Sequence, residues 1–342
     1  MTAPLAGFFE TSEWEEEYLA KQLGEKVESR FSRKILSPQD LKALSSVEVL
    51  SPFVYSRINR EVFEALPGLK LVATRSTGYD HIDLEAAQSH GVVVSTVPHY
   101  AEHTVAEHTF ALILSLSRNV HKAYLRTIRG NFSLQGLEGF DLKGRTIGVV
   151  GAGHIGMHVI KMAVGFGMNA LAYDVRPNEF LADFLRFRYV SFEELLGASD
   201  VITLHAPLTS ETHHLINQKS IRFIKRGAIL INTARGQLVE TRALVEALDA
   251  GIISAAGLDV LGEEEAIRNE EELLRENRRV DEEMLRNLLY AHTLMNRENV
   301  VITPHIAFDS REARLRIVET TARNILSFLA GNPENVVASP RG

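Results

Sequence analysis

Four polar residues in the second half of the chain each stand just beyond a short apolar run: Arg235 after Ala228–Asn232, Asp259 and Glu264 after Ala255–Leu258, and His305 after Val300–Thr303. In open parallel sheets ligands bind beyond the carboxyl ends of the strands, so these residues share one edge if the runs are strands. Their side chains are complementary. A guanidinium grips a carboxylate in bidentate fashion. An imidazole hands a proton to a carbonyl oxygen near neutral pH. A carboxylate beside it fixes the tautomer and stabilises the imidazolium. Together they suit hydride and proton addition to a carbonyl flanked by a carboxylate, with Arg235, Glu264 and His305 as the catalytic candidates. Each also has an ordinary reading: Arg235 in a surface ion pair, His305 as a turn residue after Thr303-Pro304, Glu264 within the solvated run Glu263-Glu264-Glu265. The residues alone leave the partner of His305 open among these three glutamates.

A hydride needs a carrier, and Thr146–Asp174 reads as its binding site. Thr146–Val150 is a β-branched run suited to a buried parallel strand, followed by Gly151-Ala152-Gly153-His154-Ile155-Gly156, an apolar helical segment, and Ala170–Tyr173 closing on Asp174. Gly151 permits the tight turn, Gly153 the approach of a pyrophosphate, and Gly156 the close packing of helix on strand. The amides and positive dipole end of the helix starting near His154 hold a diphosphate. Asp174, 18 residues after Gly156, accepts hydrogen bonds from a ribose diol. A bare glycine motif also occurs in other α/β turns, but strand, helix and acid in their places make this a dinucleotide fingerprint. The acid favours NAD over NADP, with Arg176 the one feature pointing the other way. Asp259, at its strand end, is placed to hold the nicotinamide amide.

The elements that position these residues form two alternating series. Leu5–Phe9, Val47–Leu50, Leu69–Thr74 and Val92–Ser95 read as strands, with helices at Glu13–Leu23, Ser56–Ala65 and Leu84–Ser89. A long helix is expected over Ala101–Ser117, carrying Val105, Phe110, Leu112, Ile113 and Leu116, and an arm or loop over residues 118–140. Six parallel strands follow, at 146–150, 170–173, 201–205, 228–232, 255–258 and 300–303, the count of a complete dinucleotide-binding sheet. Residues 263–299, with Leu273, Leu274, Met284, Leu285, Leu288 and Leu289, read as a solvated amphipathic helical insertion. Arg311–Leu329 reads as a last helix, with no further sheet after it, returning to pack on the first series. The expected class is α/β with two domains: a Rossmann NAD-binding domain at residues 101–306, and a discontinuous flavodoxin-like α/β substrate domain at 1–100 and 307–342, with the cleft between them.

The whole-chain properties bound the answer. A length of 342 residues suits two domains rather than one core. A net charge of −7 argues against nucleic acid or an anionic membrane as main partner. No cysteine is present, which excludes disulfides, thiolate metal sites and cysteine nucleophiles. The acidic first residues do not resemble a signal peptide, and no apolar run reaches bilayer length, so a cytoplasmic protein is expected. His99-Tyr100-Ala101-Glu102-His103 fits the H-x-x-E-H pattern of certain zinc proteases. Pro98, however, puts His99 at or before the helix start, and no metal is expected.

In this order, the glycine turn 151–156, Asn232-Thr233-Ala234-Arg235-Gly236, Gly257-Leu258-Asp259-Val260 with Glu264 five residues past the aspartate, and Thr303-Pro304-His305 resemble the D-isomer-specific 2-hydroxyacid dehydrogenases. The resemblance covers essentially the whole chain and is greatest to the D-lactate branch. It selects Glu264 as the partner of His305. It implies cofactor contacts at Val105, His154, Ile155, His205, Ala206, Pro207, Thr212, Thr233 and Ala234, beside the glycines and Asp174. Thr74–Asp83 resembles the family's carboxylate-binding loop, which places substrate amides at Thr77, Gly78 and Tyr79. Val97-Pro98-His99-Tyr100 resembles the D-lactate branch, with Tyr100 toward the substrate and Phe53 and Phe308 as apolar walls. The implied activity is NADH-dependent reduction of pyruvate to D-lactate by a homodimer that uses residues 101–140 in contact. A hydroxypyruvate or glyoxylate reductase, or another D-2-hydroxyacid dehydrogenase acting on larger side chains, shares every catalytic residue, and an NAD-sensing corepressor scaffold is the non-enzymatic alternative.

Overall fold

Strands buried on both faces read as unbroken apolar runs, and such runs make the centre of both sheets in this computed structural model, which describes residues 3–268, 270 and 282–339. The chain divides into two units, residues 1–100 with 310–342, and residues 101–309.

In the first unit, β1 (Leu5–Phe9) is buried along its whole length. It lies between β2 (Glu28–Ser32) and β3 (Val49–Ser51), with β4 (Leu71–Ala73) and β5 (Val93–Ser95) beyond, all parallel. β2 is absent from the sequence reading because Glu28-Ser29-Arg30-Phe31-Ser32 is polar and partly exposed, as an edge strand tolerates. The expectation that no sheet follows the last helix is corrected: Val336–Ala338 adds an antiparallel strand to β5, Ala338 opposite Val94. Three residues are too few to carry a period. Their place is set by Ala338 entering the core formed by Leu5, Phe9, Leu50 and Phe63. On the opposite face, Val318, Ala322 and Ile325 of the helix Arg311–Leu329 pack against Phe8, Leu19 and Leu71. The expected helix at 56–65 begins only at Arg60, capped by the Asn59 side chain on the Val62 amide. Ser56 is thereby left for another task.

The second unit carries a seven-stranded parallel sheet: β6 (Thr146–Val150), β7 (Asn169–Tyr173), β8 (Arg188–Tyr189), β9 (Val201–Leu204), β10 (Ala228–Asn232), β11 (Ile253–Leu258) and β12 (Val300–Ile302), in the order β12-β11-β10-β9-β6-β7-β8. The sequence reading lacks β8, whose two residues extend the sheet beside β7. The chain runs outward in both directions from β6 and β9, so the switch point lies between them, where α/β sheets bind ligands. The helix Glu102–Ser117 covers one face through Ala106, Phe110 and Ile113, packed with Ile147, Val149 and Val159. Because it starts at Glu102, His99 and His103 do not share a helical face, as the zinc-protease pattern requires.

Residues 118–140, expected as an arm or loop, contain the helix Val120–Thr127, two turns long and with no buried residue. Within 263–299 the structure places the helices Glu264–Arg268 and Glu282–Met295, with Leu288 buried and Leu285 and Leu289 exposed, while Leu273 and Leu274 lie outside the described residues. Among the described residues no helix is long and apolar enough to cross a membrane.

Candidate active site

Three strand-end turns of the second unit build the site. After β10, the buried Asn232 donates from Nδ2 to the Arg235 carbonyl at 2.8 Å and accepts the Ala234 amide at 3.1 Å, which closes the turn that presents Arg235. The guanidinium is half-buried and donates to the Ala234 carbonyl at 2.8 Å. Gly236 follows because a Cβ there would lie 2.0 Å from the Leu261 carbonyl carbon. Only glycine lets the turn after β10 touch the turn after β11.

The turn after β11 carries Asp259, Glu263 and Glu264. Glu264 Oε1 accepts the Leu261 amide at 2.8 Å, and Oε2 lies 3.1 Å from His305 Nδ1. Glu263 faces elsewhere, with both carboxylate oxygens 3.0 Å from the Thr241 hydroxyl. Burial pushes the Glu263 carboxyl up, only partly opposed by that hydroxyl. A carboxylate accepts only, so Nδ1 of His305 carries the hydrogen toward Glu264 and Nε2 is left for proton exchange. Glu264 and His305 are about one-quarter exposed, and the Phe308 ring stands nearly perpendicular to the imidazole with the two ring centres 6.5 Å apart.

The third turn, after β12, is held by Asp259. This carboxylate is 1% exposed. Its Oδ1 accepts the Thr303 hydroxyl at 2.5 Å and the Ile306 amide at 2.9 Å, and Oδ2 accepts the Ala307 amide at 2.8 Å. The His305 amide reaches the Asp259 carbonyl at 2.9 Å, and His305 takes a left-handed φ of 56°. His108 Nε2 is 3.0 Å from Thr303 Oγ1, whose own hydrogen goes to Asp259, so the imidazole donates. Burial alone would push the Asp259 carboxyl up. The bonds from His108, Thr303, Ala307 and Ile306 outweigh it and hold the carboxyl below the usual range. Sequence reasoning missed His108 and Thr303 and the service of Asp259 to the His305 turn; no short-range signal links residues so far apart in the chain.

The residues expected to bind the nucleotide sit around β6, β7 and β9. Gly151 has φ 91°, and a Cβ there would meet the Ala206 amide nitrogen at 2.7 Å. At Gly156 a Cβ would meet the Gly151 carbonyl oxygen at 2.1 Å, whereas at Gly153 it would meet open space. His154 and Ile155 begin the helix His154–Gly165, whose N-cap Gly153 contributes no side chain, leaving the first turn for an anion. Asp174 accepts the Ala152 and Arg176 amides, one on each oxygen at 2.8 Å, and keeps a further lone pair on each. His205 bonds through Nε2 to the Thr203 hydroxyl at 2.8 Å, while its buried Nδ1 has no hydrogen-bond partner among the described residues. Burial pushes this imidazole down to about 3, so it is neutral at working pH. Pro207 is tied to Thr212, which donates to its carbonyl at 2.6 Å. Thr233 bonds Thr109, one turn beyond the buried Val105. An open cradle at Gly153, an uncapped helix end and an orphaned imidazole nitrogen fit a dinucleotide.

The remaining predicted residues belong to the first unit. Thr77 donates to the Val97 carbonyl at 2.7 Å, and Ser76 to the Gly78 carbonyl at 2.6 Å. The amides of Thr77, Gly78 and Tyr79 meet no acceptor among the described residues. Tyr100 is fixed by Arg316, whose Nε donates to its carbonyl at 2.6 Å. Phe53 is half-buried.

Comparison with known proteins identifies the family. Residues 110–307 match the family model described as D-isomer specific 2-hydroxyacid dehydrogenase, NAD binding domain. A 2-hydroxyacid dehydrogenase homolog of Haemophilus influenzae is 40% identical over 89% of either chain. A glyoxylate reductase of Korarchaeum cryptofilum is 37% identical over 90% of this chain and 86% of its own. The structure of D-lactate dehydrogenase from Aquifex aeolicus, complexed with NAD and lactic acid, superposes with a TM-score of 0.88 at 36% identity, covering 98% of this chain and 100% of its own. The chain therefore belongs to the D-isomer specific 2-hydroxyacid dehydrogenase family, a family of NAD-dependent oxidoreductases.

Proposed function

We propose that the protein is a D-lactate dehydrogenase that reduces pyruvate reversibly. The observation that carries this reading is the 3.1 Å pair of His305 and Glu264 on turns locked to the one that presents Arg235. Bound at the glycine turn and Asp174, NAD supplies or accepts the hydride. Arg235 grips the substrate carboxylate, and the amides of Thr77, Gly78 and Tyr79 are its second set of donors. His305 gives the proton on Nε2 to the carbonyl oxygen in reduction and takes it back in oxidation. Glu264 holds the Nδ1 hydrogen and balances the imidazolium. Phe53, Tyr100 and Phe308 bound the substrate side chain and favour a methyl group. Asp174 sets the preference for NAD, since a carboxylate repels a 2′-phosphate.

The working form is a homodimer. Val120, Tyr124, Ile128, Phe132 and Leu134 are exposed along the 118–140 arm, Leu134 to 84%, and such a stripe fits an interface between copies. NADH oxidation across pyruvate, glyoxylate, hydroxypyruvate and longer 2-oxo acids, with chiral analysis of the product, tests the function. Pyruvate as best substrate with D-lactate as product is expected. A preference for glyoxylate or hydroxypyruvate moves the assignment to a reductase of those acids. Nucleotide binding without turnover on any of them refutes the enzyme and favours the scaffold.

A further inference from the structure

Two ionised side chains of the first unit take no part in the chemistry above, yet are bound with unusual completeness. Glu10 follows β1 with a left-handed φ of 59°, a conformation that costs free energy for a residue with a side chain. Its carboxylate is filled by one short segment. Oε2 accepts the Phe53 amide at 3.2 Å, the Ser56 amide at 3.0 Å and the Ser56 hydroxyl at 2.5 Å, and Oε1 accepts the Tyr55 amide at 3.0 Å. Ser56 Oγ also receives the Leu36 amide at 3.0 Å. Arg75 is 1% exposed. It donates to the carbonyls of Ser51 at 2.8 Å, Phe9 at 2.5 Å and Glu10 at 2.9 Å, and its guanidinium carbon stands 5.9 Å from the centre of the Phe53 ring.

Both groups converge on Phe53, Glu10 on its backbone amide and Arg75 on its ring. A buried guanidinium and a carboxylate in left-handed backbone are expensive ways to close a turn that an Asx or glycine turn would close. They make sense where the position of one side chain must not drift. We propose that Glu10 and Arg75 are positioning residues that set the side-chain selectivity of the 2-oxo acid site by fixing the Phe53 ring. This rests on the reading of Phe53 as an apolar wall of that site. A wall that cannot retreat excludes branched or longer substituents, which a loosely held ring would admit by rotating away.

The test compares kcat/KM for pyruvate and for 2-oxoisocaproate in wild type, Glu10→Gln, Ser56→Ala, Phe53→Ala and Glu10→Gln/Phe53→Ala. Glutamine turns one acceptor into an NH2 group facing amide donors. The pyruvate preference is expected to fall about tenfold or more in Glu10→Gln, and in the same direction but less in Ser56→Ala. The pH profile of pyruvate turnover stays unchanged. In the Phe53→Ala background, Glu10→Gln adds nothing further, because it acts through the ring. An unchanged preference in Glu10→Gln and Ser56→Ala overturns the proposal, and so does a Glu10→Gln effect that persists without Phe53. If Glu10→Gln does not fold, Ser56→Ala decides alone. A wild-type protein inert on every 2-oxo acid overturns the dehydrogenase reading beneath this one, whereas an active enzyme indifferent to Phe53→Ala overturns this one only.

Discussion

Replacing Gly236 by alanine tests how the site is assembled without touching any group that meets the substrate. The new Cβ would stand 2.0 Å from the Leu261 carbonyl carbon, 2.2 Å from its oxygen and 2.3 Å from the Gly262 nitrogen. All three are backbone atoms, so no side chain can swing aside. Non-bonded carbons rest about 3.5–4.0 Å apart, so the turns after β10 and β11 must separate by more than about 1 Å. Arg235 adjoins the first turn and Glu264, the partner of His305, lies on the second. A misplacement of about 1 Å costs on the order of a hundredfold in rate, and overpacking about 1–3 kcal/mol in stability. Steady-state kinetics at saturating NADH should therefore show kcat lower by about two orders of magnitude, with the protein still folded by circular dichroism. The matched control is Gly262→Ala, whose Cβ would meet only the Thr241 hydroxyl at 3.8 Å and which should keep nearly all activity. A Gly236→Ala enzyme within about threefold of wild type, or a Gly262→Ala enzyme equally impaired, would refute the idea that close approach of the two turns builds the site.

Arg235→Lys should raise KM and lower kcat together, since a point charge does not reproduce a planar fork; near-normal kinetics on the best 2-oxo acid would remove Arg235 from the site. Burial raises the folded-state proton affinity of Glu263, so its contribution to stability is present at low pH and lost as pH rises through its folded value. Glu263→Gln should consequently gain stability relative to wild type as the pH is raised above the ordinary carboxylate range in urea unfolding, with turnover intact; a gap that does not change with pH would contradict this. Asp259 has the opposite sign: its lowered folded value makes its contribution present above the ordinary carboxylate range and lost as the solution is acidified. Asp259→Asn sets an NH2 group against the Ala307 amide or, flipped, against the Ile306 amide and the Thr303 hydroxyl, and should cost about 2–4 kcal/mol at neutral pH. Chemical denaturation giving a loss under about 0.5 kcal/mol would show that the His305 turn is held by other means.

What the sequence makes legible depends on how local the physics is. Gly151 with its φ of 91°, Gly156 against the Gly151 carbonyl, and the acid at 174 are readable because sterics within one turn and the length of one helix fix their spacing. Arg235 and His305 stand out because each follows an apolar strand run, whereas Glu264 is singled out from Glu263 and Glu265 only by the family resemblance. The polar edge strand β2, the two-residue β8 and the strand Val336–Ala338 escape periodicity, since each owes its place to a neighbouring strand. The bridge from His108 through Thr303 to Asp259, and the grip of Glu10 on residues 53–56, join positions tens to hundreds of residues apart. Only the folded chain brings such groups within hydrogen-bond distance.

The first unit is woven from both ends of the chain: the helix Arg311–Leu329 covers one face of its sheet, and Val336–Ala338 completes the opposite edge from β2. On the ribosome this imposes a schedule. Residues 101–309 emerge as an uninterrupted block, while β1 to β5 wait for more than two hundred further residues before their covering helix is made. Until then the apolar face around Phe8, Leu19 and Leu71 lacks its partner. Such transiently open faces recruit chaperones or aggregate. Substitutions that loosen Val318, Ala322 or Ile325 should therefore lower the yield of folded protein during synthesis more than they lower the stability of protein already made.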